Sequence, residues 1–311
     1  MDVVSDAIAA IRAGHPHAAR THRDAPWGLR FPPSSGPGFH VVLQGTCWLL
    51  PGGAQQPIPL STGDVVFVAR DSTVALADDP ATAPVLVTPE MDDMWRPREP
   101  GESGPATTAL MCGSYRFNRV RPHPLLAELP DIIHLPRRVG RHAQLNAVVD
   151  LLGDELDRRM PGADALVPSL LDAMLLYILR TWYLERAPTQ DTGWSAALKD
   201  PAIGAALQNL HREPLRAWTV EDLGRSVGLS RAAIARRFTT LVGRPPLDYL
   251  TWWRMTMAGA LVRLDETPLT SIAKRTGYTS ESAFNRAFKR EFGTTPGAYR
   301  RQASTLAESL P

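Results

Sequence analysis

Apolar residues recur every three or four positions through much of the second half of the chain, which is the spacing of amphipathic helices. Two such runs, 142–159 and 165–185, are separated by Pro161-Gly162 and predict a helical hairpin. A third run, 246–264, begins with a proline, which suits the first turn of a helix. At 1.5 Å per residue, this third helix would be roughly 28 Å long.

Shorter apolar stretches, bounded by glycine, proline and aspartate, occupy the first half of the chain and predict strands. They cover 39–50, 63–68, 74–77, 85–88 and 109–117. Strands of this length and spacing favour a small barrel or jelly roll. The expected fold class is therefore α+β: a β-barrel, a helical hairpin and an all-α domain.

The last hundred residues carry one pattern twice. Phe238-x4-Gly243-x2-Pro246-x2-Tyr249 recurs as Phe288-x4-Gly293-x2-Pro296-x2-Tyr299, an offset of 50 residues. Before each copy, a helix-like run ends in a glycine, followed by a second helix. This is the arrangement of a helix-turn-helix motif, whose second helix can lie in a DNA major groove. The run 246–264 would be close in length to the ~34 Å between successive grooves, so the chain is predicted to read two of them.

The predicted turns contain Gly228 and Gly277, which supply a positive φ without a clash of Cβ. Gly224 precedes Gly228 by four residues, where the second copy has Ala273. We expect Gly224 to loosen its helix by roughly 1 kcal/mol relative to alanine. Thr219 is the predicted N-cap of that helix.

Charge is divided unequally along the chain. Residues 202–304 hold 16 Lys and Arg against 8 Asp and Glu, whereas residues 1–201 hold 18 against 23. A basic C-terminal part beside a mildly acidic one favours binding to phosphates, although solvated helix faces would give the same count.

The 311 residues suffice for about two domains, and 44% hydrophobic residues are typical of a globular chain. No run of 18 apolar residues occurs, and residues 1–20 lack the apolar core of a secretory signal. Two cysteines suit a reducing compartment. A cytoplasmic protein without a membrane span is expected.

Residues 200–302 resemble the DNA-binding domain of the AraC family of bacterial transcription regulators. Segment 277–296 and the Tyr299-Arg300 that follows it carry the resemblance. It implies seven helices, with two helix-turn-helix units and a linking helix. It also implies sequence-specific binding to double-stranded promoter or operator DNA, with RNA polymerase as a further candidate partner.

The spacing of the two second helices separates inward from outward positions. Ile234, Phe238 and Leu241 should pack inward, as should Phe284, Ala287, Phe288 and Phe292. The outward positions are candidates for base edges, and each could instead contact phosphate or solvent. These predicted DNA-binding residues are Arg231, Ala235, Arg236, Glu281, Ser282, Asn285, Arg286 and Lys289.

The first part of the chain resembles a cupin, through the spacing His40…Gly45…Gly63-Asp64. The resemblances imply a sensory domain at 1–120, a hairpin and linker at 121–190 and a DNA-binding domain at 195–304. Cupin enzymes use two His and a Glu on one strand and a further His on a later one, and here only His40 is in place. No metal, cofactor or catalytic residue is therefore expected. The rival interpretation is a metal-cupin enzyme with a DNA-binding tail.

Effector or redox chemistry has five candidate residues: His40, Cys47, Trp48, Cys112 and Tyr115. The two cysteines are either small buried hydrophobes or thiol sensors of oxidants. Aromatic side chains could line a barrel interior that holds an unknown small apolar effector, or they could form plain core. Trp48, Phe67, Tyr115 and Phe117 are the aromatic residues in question. A cupin that serves only in assembly is a further alternative.

The hairpin has an apolar face that could pack on the barrel or be shared with a second chain. By family resemblance, we expect a homodimer, with Leu171, Leu175 and Ile178 as contact residues.

Overall fold

The computed structural model describes residues 3–11, 16–32, 37–53, 55–70, 72–88, 108–115, 124–158, 160–185, 193–264 and 267–308. They fall into two compact units. The β unit comprises Gly14–Phe117 and Leu129–Arg186, and the helical unit comprises Met1–Ala13, Asn118–Glu128 and Ala187–Pro311. Phe117 and most of the predicted linker before residue 193 lie outside the described residues.

Ten strands are described in the β unit, and the predicted apolar stretches account for six of them. They are β1 (His17–Arg23), β2 (Gly28–Phe31), β3 (Gly38–Gln44), β4 (Thr46–Pro51), β5 (Ile58–Ser61), β6 (Val65–Val68), β7 (Val74–Ala77), β8 (Val85–Leu86), β9 (Thr108–Ser114) and β10 (Ile132–Leu135). They form two five-stranded sheets, in the orders β1-β9-β3-β6-β10 and β5-β4-β7-β2-β8. All pairs are antiparallel except β2 with β8.

The two sheets share one apolar core. Val42, Val66 and Leu110 enter it from the first sheet, and Leu49 and Leu76 enter it from the second. Because side chains alternate along a strand, the intervening residues point to the outer faces. The described strands thus form an open, two-sheet version of the predicted barrel.

The predicted hairpin consists of α3 (Ala143–Arg158) and α4 (Ala163–Glu185) and covers the outer face of the first sheet. A Cβ on Gly153 of α3 would lie 3.4 Å from Leu43 on β3. On α4, Leu171, Leu175 and Ile178 are at most 1% exposed. By length and composition α4 is apolar enough to cross a membrane, and its buried face is that of a core helix.

The helical unit contains all the remaining helices of the described chain. They are α1 (Val3–Ile11), α2 (Pro124–Ala127), α5 (Trp194–Lys199), α6 (Pro201–Arg212), α7 (Val220–Ser226), α8 (Arg231–Val242), α9 (Pro246–Leu264), α10 (Leu269–Arg275), α11 (Glu281–Phe292) and α12 (Pro296–Glu308). Helices α6 to α12 are the seven that the resemblance implied. Pairs α7–α8 and α10–α11 are the two helix-turn-helix units, and α9 joins them.

Helix α1 packs against α6 and α9, so the first helix of the chain belongs to the helical unit. A buried polar cluster holds it there. The imidazole of His211 lies 3.3 Å from Asp6 of α1 through Nδ1 and 2.7 Å from the Tyr249 hydroxyl through Nε2. Its ring also stacks on Trp253, with centroids 4.0 Å apart. The predicted domain boundaries placed α1 with the cupin.

Glycine is required at position 224 for a packing reason that its helix propensity does not reveal. A Cβ at this position would lie 2.7 Å from the carbonyl oxygen of Leu229 and 3.0 Å from Cγ2 of Ile234. The absence of a side chain therefore lets α7 approach the start of α8.

We predict that Gly224→Ala destabilises the protein, because the clash with backbone outweighs the gain in helix propensity. The free energy of unfolding should fall by about 1–3 kcal/mol, measured by urea denaturation. Gly204→Ala in α6 is the matched control, since its Cβ would lie no closer than 3.4 Å to another atom, and it should stabilise by about 0.5–1 kcal/mol. A gain in stability from both substitutions would contradict the proposed clash.

Candidate nucleic-acid interface and intersheet site

The two recognition helices, α8 and α11, are built alike. Each has 12 residues and begins after a serine whose hydroxyl accepts a hydrogen bond from a backbone N–H of the first turn, Ser230 from Ala233 and Ser280 from Ala283. Each ends at a left-handed glycine, Gly243 or Gly293.

The turns before these helices depend on glycine, as predicted. Gly228 has φ 72° and Gly277 has φ 83°. The chain then folds back so that the N–H of Leu229 donates to the carbonyl of Gly224, and the N–H of Tyr278 donates to that of Ala273.

One aromatic pair in each copy explains the repeated sequence pattern. Phe238 packs edge-on against Tyr249 with ring centroids 5.8 Å apart, and Phe288 packs likewise against Tyr299 at 5.5 Å. Glycine ends the recognition helix, and proline starts the helix that carries the tyrosine. All seven positions predicted to face inward are buried.

Six of the eight predicted DNA-binding residues are exposed, whereas Ala235 and Asn285 are half-buried. The six exposed residues are Arg231, Arg236, Glu281, Ser282, Arg286 and Lys289. Exposure leaves these side chains accessible to a groove, which is a requirement for base or phosphate contact.

The cations on these faces differ from others in the unit. Arg225 pairs with Asp222 at 3.3 Å, and Arg216 pairs with Glu213 at 3.2 Å. Among the residues that the structure describes, the cations of the two recognition faces have no carboxylate partner. These cations are Arg231, Arg236, Arg286 and Lys289. Their charge is therefore available to an external anion.

Sequence reasoning missed Arg237, which anchors α8. Its Nε donates to Asp200 at 2.7 Å, and the other oxygen of Asp200 caps α6 by accepting from two backbone N–H groups at 3.0 Å. The Asp200-Pro201 pair was a usable signal for the cap, but nothing in the sequence indicated its arginine partner.

In the β unit, three effector candidates point into the space between the sheets. Cys47 and Cys112 belong to the intersheet core, and Nδ1 of His40 lies 3.1 Å from Sγ of Cys112. The ring of Phe31 lies 4.2 Å from the His40 ring.

The two other candidates, Tyr115 and Trp48, lie on outer faces of the sheets and do not line the interior, which was one of the two alternatives. Tyr115 and Phe67 are on the outer, hairpin-covered face of the first sheet, where the Tyr115 hydroxyl donates to the carbonyl of Leu171 at 2.9 Å. Trp48 alternates with the inward residues Cys47 and Leu49, so it is half-buried on the outer face of the second sheet.

Comparison with known proteins agrees with this arrangement. Residues 2–183 match the profile of a cupin family, and residues 223–302 match that of a helix-turn-helix domain. A protein of Streptomyces lividans named as an AraC-like transcription regulator is 35% identical over 304 residues, covering 97% of this chain and 98% of that one. A protein of Streptomyces antibioticus with the same name is 32% identical, covering 97% and 99%.

The chain belongs to the AraC-like transcription regulators. It is thus a DNA-binding regulator with an N-terminal effector domain. Among solved structures, the DNA-binding domain of AdpA in complex with a target DNA is 27% identical. That match covers 36% of this chain and 99% of that one, with a TM-score of 0.34.

The intersheet thiols of this AraC-like regulator lie in an environment that disfavours the thiolate. Burial, with a smaller contribution from the charge of Asp64, raises the pKa of Cys47 to about 12. Burial also raises the pKa of Cys112, and the nearby Arg23 guanidinium opposes the rise only in part. Because oxidants react with the thiolate first, neither cysteine has the accessible, ionised thiol that a sensor needs.

His40 does not assemble a metal site with its neighbours. Within the described part of the chain, no three His, Cys, Asp or Glu side chains are placed to hold a metal ion together. Burial lowers the pKa of His40 to about 4, so its imidazole is neutral at physiological pH.

The predicted dimer contacts of this AraC-like regulator need revision. Leu171, Leu175 and Ile178 are buried by their own chain, because α4 packs against α3 and the first sheet. Their side chains therefore belong to the core of the β unit and present no surface to a second chain.

We predict that His40 makes stability depend on pH. Its pKa is about 4 in the folded protein and near 6.5 when unfolded, so the unfolded state binds the proton more tightly. The contribution of neutral His40 to the free energy of unfolding is intact above pH 6.5. It is lost as the pH falls toward 4, and the loss is roughly 3 kcal/mol.

Denaturant titrations from pH 7 to pH 4 measure this loss. His40→Gln should flatten the profile over this interval relative to the parent chain. Parallel profiles for the two proteins would show that another group is responsible.

Proposed function

We propose that this regulator recognises its operator with both recognition helices, each lying in one of two successive major grooves. The observation that carries the proposal is the pair of matched helices, α8 and α11, each with exposed cations that lack a carboxylate partner within the described residues. The 19-residue helix α9, which joins the two helix-turn-helix units, would be roughly 28 Å long. This length is near the ~34 Å repeat of the major groove.

In this proposal, Arg236 and Arg286 contact guanine, because the guanidinium forks match its N7 and O6 atoms. Arg231, the first residue of α8, and Lys289, in the last turn of α11, contribute phosphate contacts. Asn285 is suited to adenine. We infer that the regulator works in the cytoplasm with its DNA, where RNA polymerase is a candidate partner for the bound complex.

We also propose that the β unit receives a small, largely apolar effector between its sheets. Trp27 supports this assignment, because its side chain belongs to the intersheet core and its indole N–H has no acceptor among the described residues. An effector with one carbonyl or carboxylate oxygen would supply that acceptor. Mass spectrometry of the natively purified protein would identify such a ligand.

The DNA assignment predicts that Arg236→Ala weakens binding to an operator selected from random duplexes by about 1–3 kcal/mol. Binding to random DNA should change little, and affinity for both should fall as salt rises. Arg225→Ala is the matched control, since Arg225 is exposed but paired with Glu221 and Asp222.

Titrations of both variants on both DNAs, followed by fluorescence anisotropy, test this prediction. Equal losses on operator and random DNA would reassign Arg236 to a phosphate contact. A similar loss from Arg225→Ala would remove the argument from unpaired charge.

We further propose that the protein is a homodimer formed through the outer surface of the hairpin. There Leu151, Met160 and Leu166 are 55%, 58% and 48% exposed, and large exposed apolar side chains favour association.

Leu151→Glu combined with Leu166→Glu should therefore produce monomers in sedimentation equilibrium, since association would bury carboxylates without partners. Leu215→Glu, at a 52% exposed position of the helical unit, is the control and should leave the dimer intact. A dimer that survives the double substitution would exclude this surface.

A further inference from the structure

Residues 213–218 lead into the first helix-turn-helix unit, and we call them the entry loop. The indole N–H of Trp218 donates to the carbonyl of Glu213 at 3.0 Å. The Arg216 guanidinium lies over the Trp218 ring, 3.9 Å from its centroid. Thr219, the next residue, is the N-cap of α7. The entry loop is therefore closed on itself and continuous with the start of α7.

Arg254, in the middle of α9, holds the entry loop through two hydrogen bonds. Its Nε donates to the carbonyl of Pro214 at 2.6 Å, and its Nη2 donates to the carbonyl of Arg216 at 3.0 Å. Burial lowers the pKa of Arg254, yet an arginine stays charged at neutral pH, so both hydrogen bonds are charge-assisted. Because the donating group is planar, the pair of bonds fixes a direction as well as a distance between α9 and the loop.

The same guanidinium lies against the turn of the second helix-turn-helix unit. A Cβ on Gly277 would lie 3.3 Å from both Cζ and Nε of Arg254, which is closer than the optimal separation of carbon atoms. Tyr278, the next residue, packs edge-on against Phe284 of α11 with ring centroids 5.8 Å apart. The turn that Arg254 contacts is thus joined directly to the second recognition helix.

The second copy of the repeat has a serine where the first copy has Arg254. The offset of 50 that relates Phe238 to Phe288 relates Arg254 to Ser304. By contrast, the features that serve one helix-turn-helix unit at a time occur in both copies, as the serine caps and the aromatic pairs do. An arginine present in one copy therefore indicates a role between the two units.

We propose that Arg254 is a positioning residue that sets the orientation of one helix-turn-helix unit relative to the other, so that the regulator accepts one spacing between its two DNA half-sites. Helix α9 sets the distance between the units, and Arg254 sets their rotation, because it holds the entry loop on one side and contacts Gly277 on the other. Arg254 acts through these two segments and not through a contact with DNA. The proposal rests on the proposed function, in which both recognition helices enter major grooves.

The physical effect of such a residue is on the second of two linked binding events. Once one recognition helix is bound, the effective concentration of the other depends on how well its orientation matches the second groove. One base pair inserted between the half-sites rotates the second groove by about 34° and moves it by about 3.4 Å. A rigid pair of units loses affinity on that duplex. A loosened pair loses less there, but binds the original operator more weakly because ordering the units costs entropy.

The experiment compares the parent chain with Arg254→Met, which keeps most of the side-chain volume and removes both donors. Fluorescence anisotropy measures the affinity of each full chain for three duplexes: the operator that the parent selects from a random library, the same operator with one base pair inserted between the half-sites, and the operator with one half-site randomised.

The variant should bind the operator about tenfold more weakly than the parent and the single half-site equally well. The insertion should weaken binding of the parent by about a hundredfold and binding of the variant by about tenfold or less.

Two further variants control the comparison. Thr251→Val lies one turn earlier on α9, and its hydroxyl donates only along the helix, to the carbonyl of Leu247 at 2.9 Å. It should bind all three duplexes as the parent does. Arg254→Lys keeps the charge but lacks the planar pair of donors, and it should restore the sensitivity to spacing only in part. The lysine variant also provides the test if Arg254→Met does not fold.

The outcomes separate this proposal from the proposed function. A parent chain that protects a single groove, or that binds the operator and the single half-site equally well, would overturn the proposed function. A parent that depends on spacing, together with an Arg254→Met variant that shows the same hundredfold dependence, would overturn only the positioning role. Equal losses by the variant on all three duplexes would assign Arg254 to the stability of the fold and would also overturn that role.

Discussion

The edge-on contact between a phenylalanine and a tyrosine, Phe238 with Tyr249 and Phe288 with Tyr299, is the constraint on which each DNA-reading half depends. It joins the recognition helix to the helix that follows, across a turn closed by a left-handed glycine. Because the phenylalanine is fully buried, the helix cannot rotate about its axis without removing that ring from the core. Fixing the buried side therefore also fixes which side chains face outward.

Much of the helical unit was predictable because its determinants are local in sequence. Caps, glycine turns and inward-facing residues all lie within a dozen positions of one another, and the 50-residue repeat provided two examples of each. Gly224 was the exception. Its propensity alone indicated a weak point, whereas the close carbonyl of Leu229 shows that a side chain would not fit.

The features that sequence reasoning missed involve contacts between distant positions. Asp6 and His211 are 205 residues apart, and no periodic pattern connects them. In the β unit, the apolar stretches predicted six strands and missed β1, β2, β5 and β10. Alternation within a strand also does not say which face meets the other sheet. Trp48 and Tyr115 were therefore candidates for the interior, although both lie on outer faces.

A similar ambiguity affected the hairpin. The apolar stripe of α4 indicated a buried face, but a stripe has the same appearance whether its own chain or a second one covers it. The structure resolves this for Leu171, which is fully buried within the β unit. Any contact between chains must then use side chains outside the stripe.

The placement of α1 has a consequence for modularity. Along the described residues, the chain passes between the two units four times, since α1 and α2 both belong to the helical unit while the segments after them belong to the β unit. The helical unit, which contains both recognition helices, is thus not formed by one continuous segment of the chain. A chimaera that grafted only residues 193–308 onto another sensor would carry His211 without the carboxylate of Asp6. Exchange of sensors between such regulators, in the laboratory or in evolution, would have to preserve the first helix together with the last hundred residues.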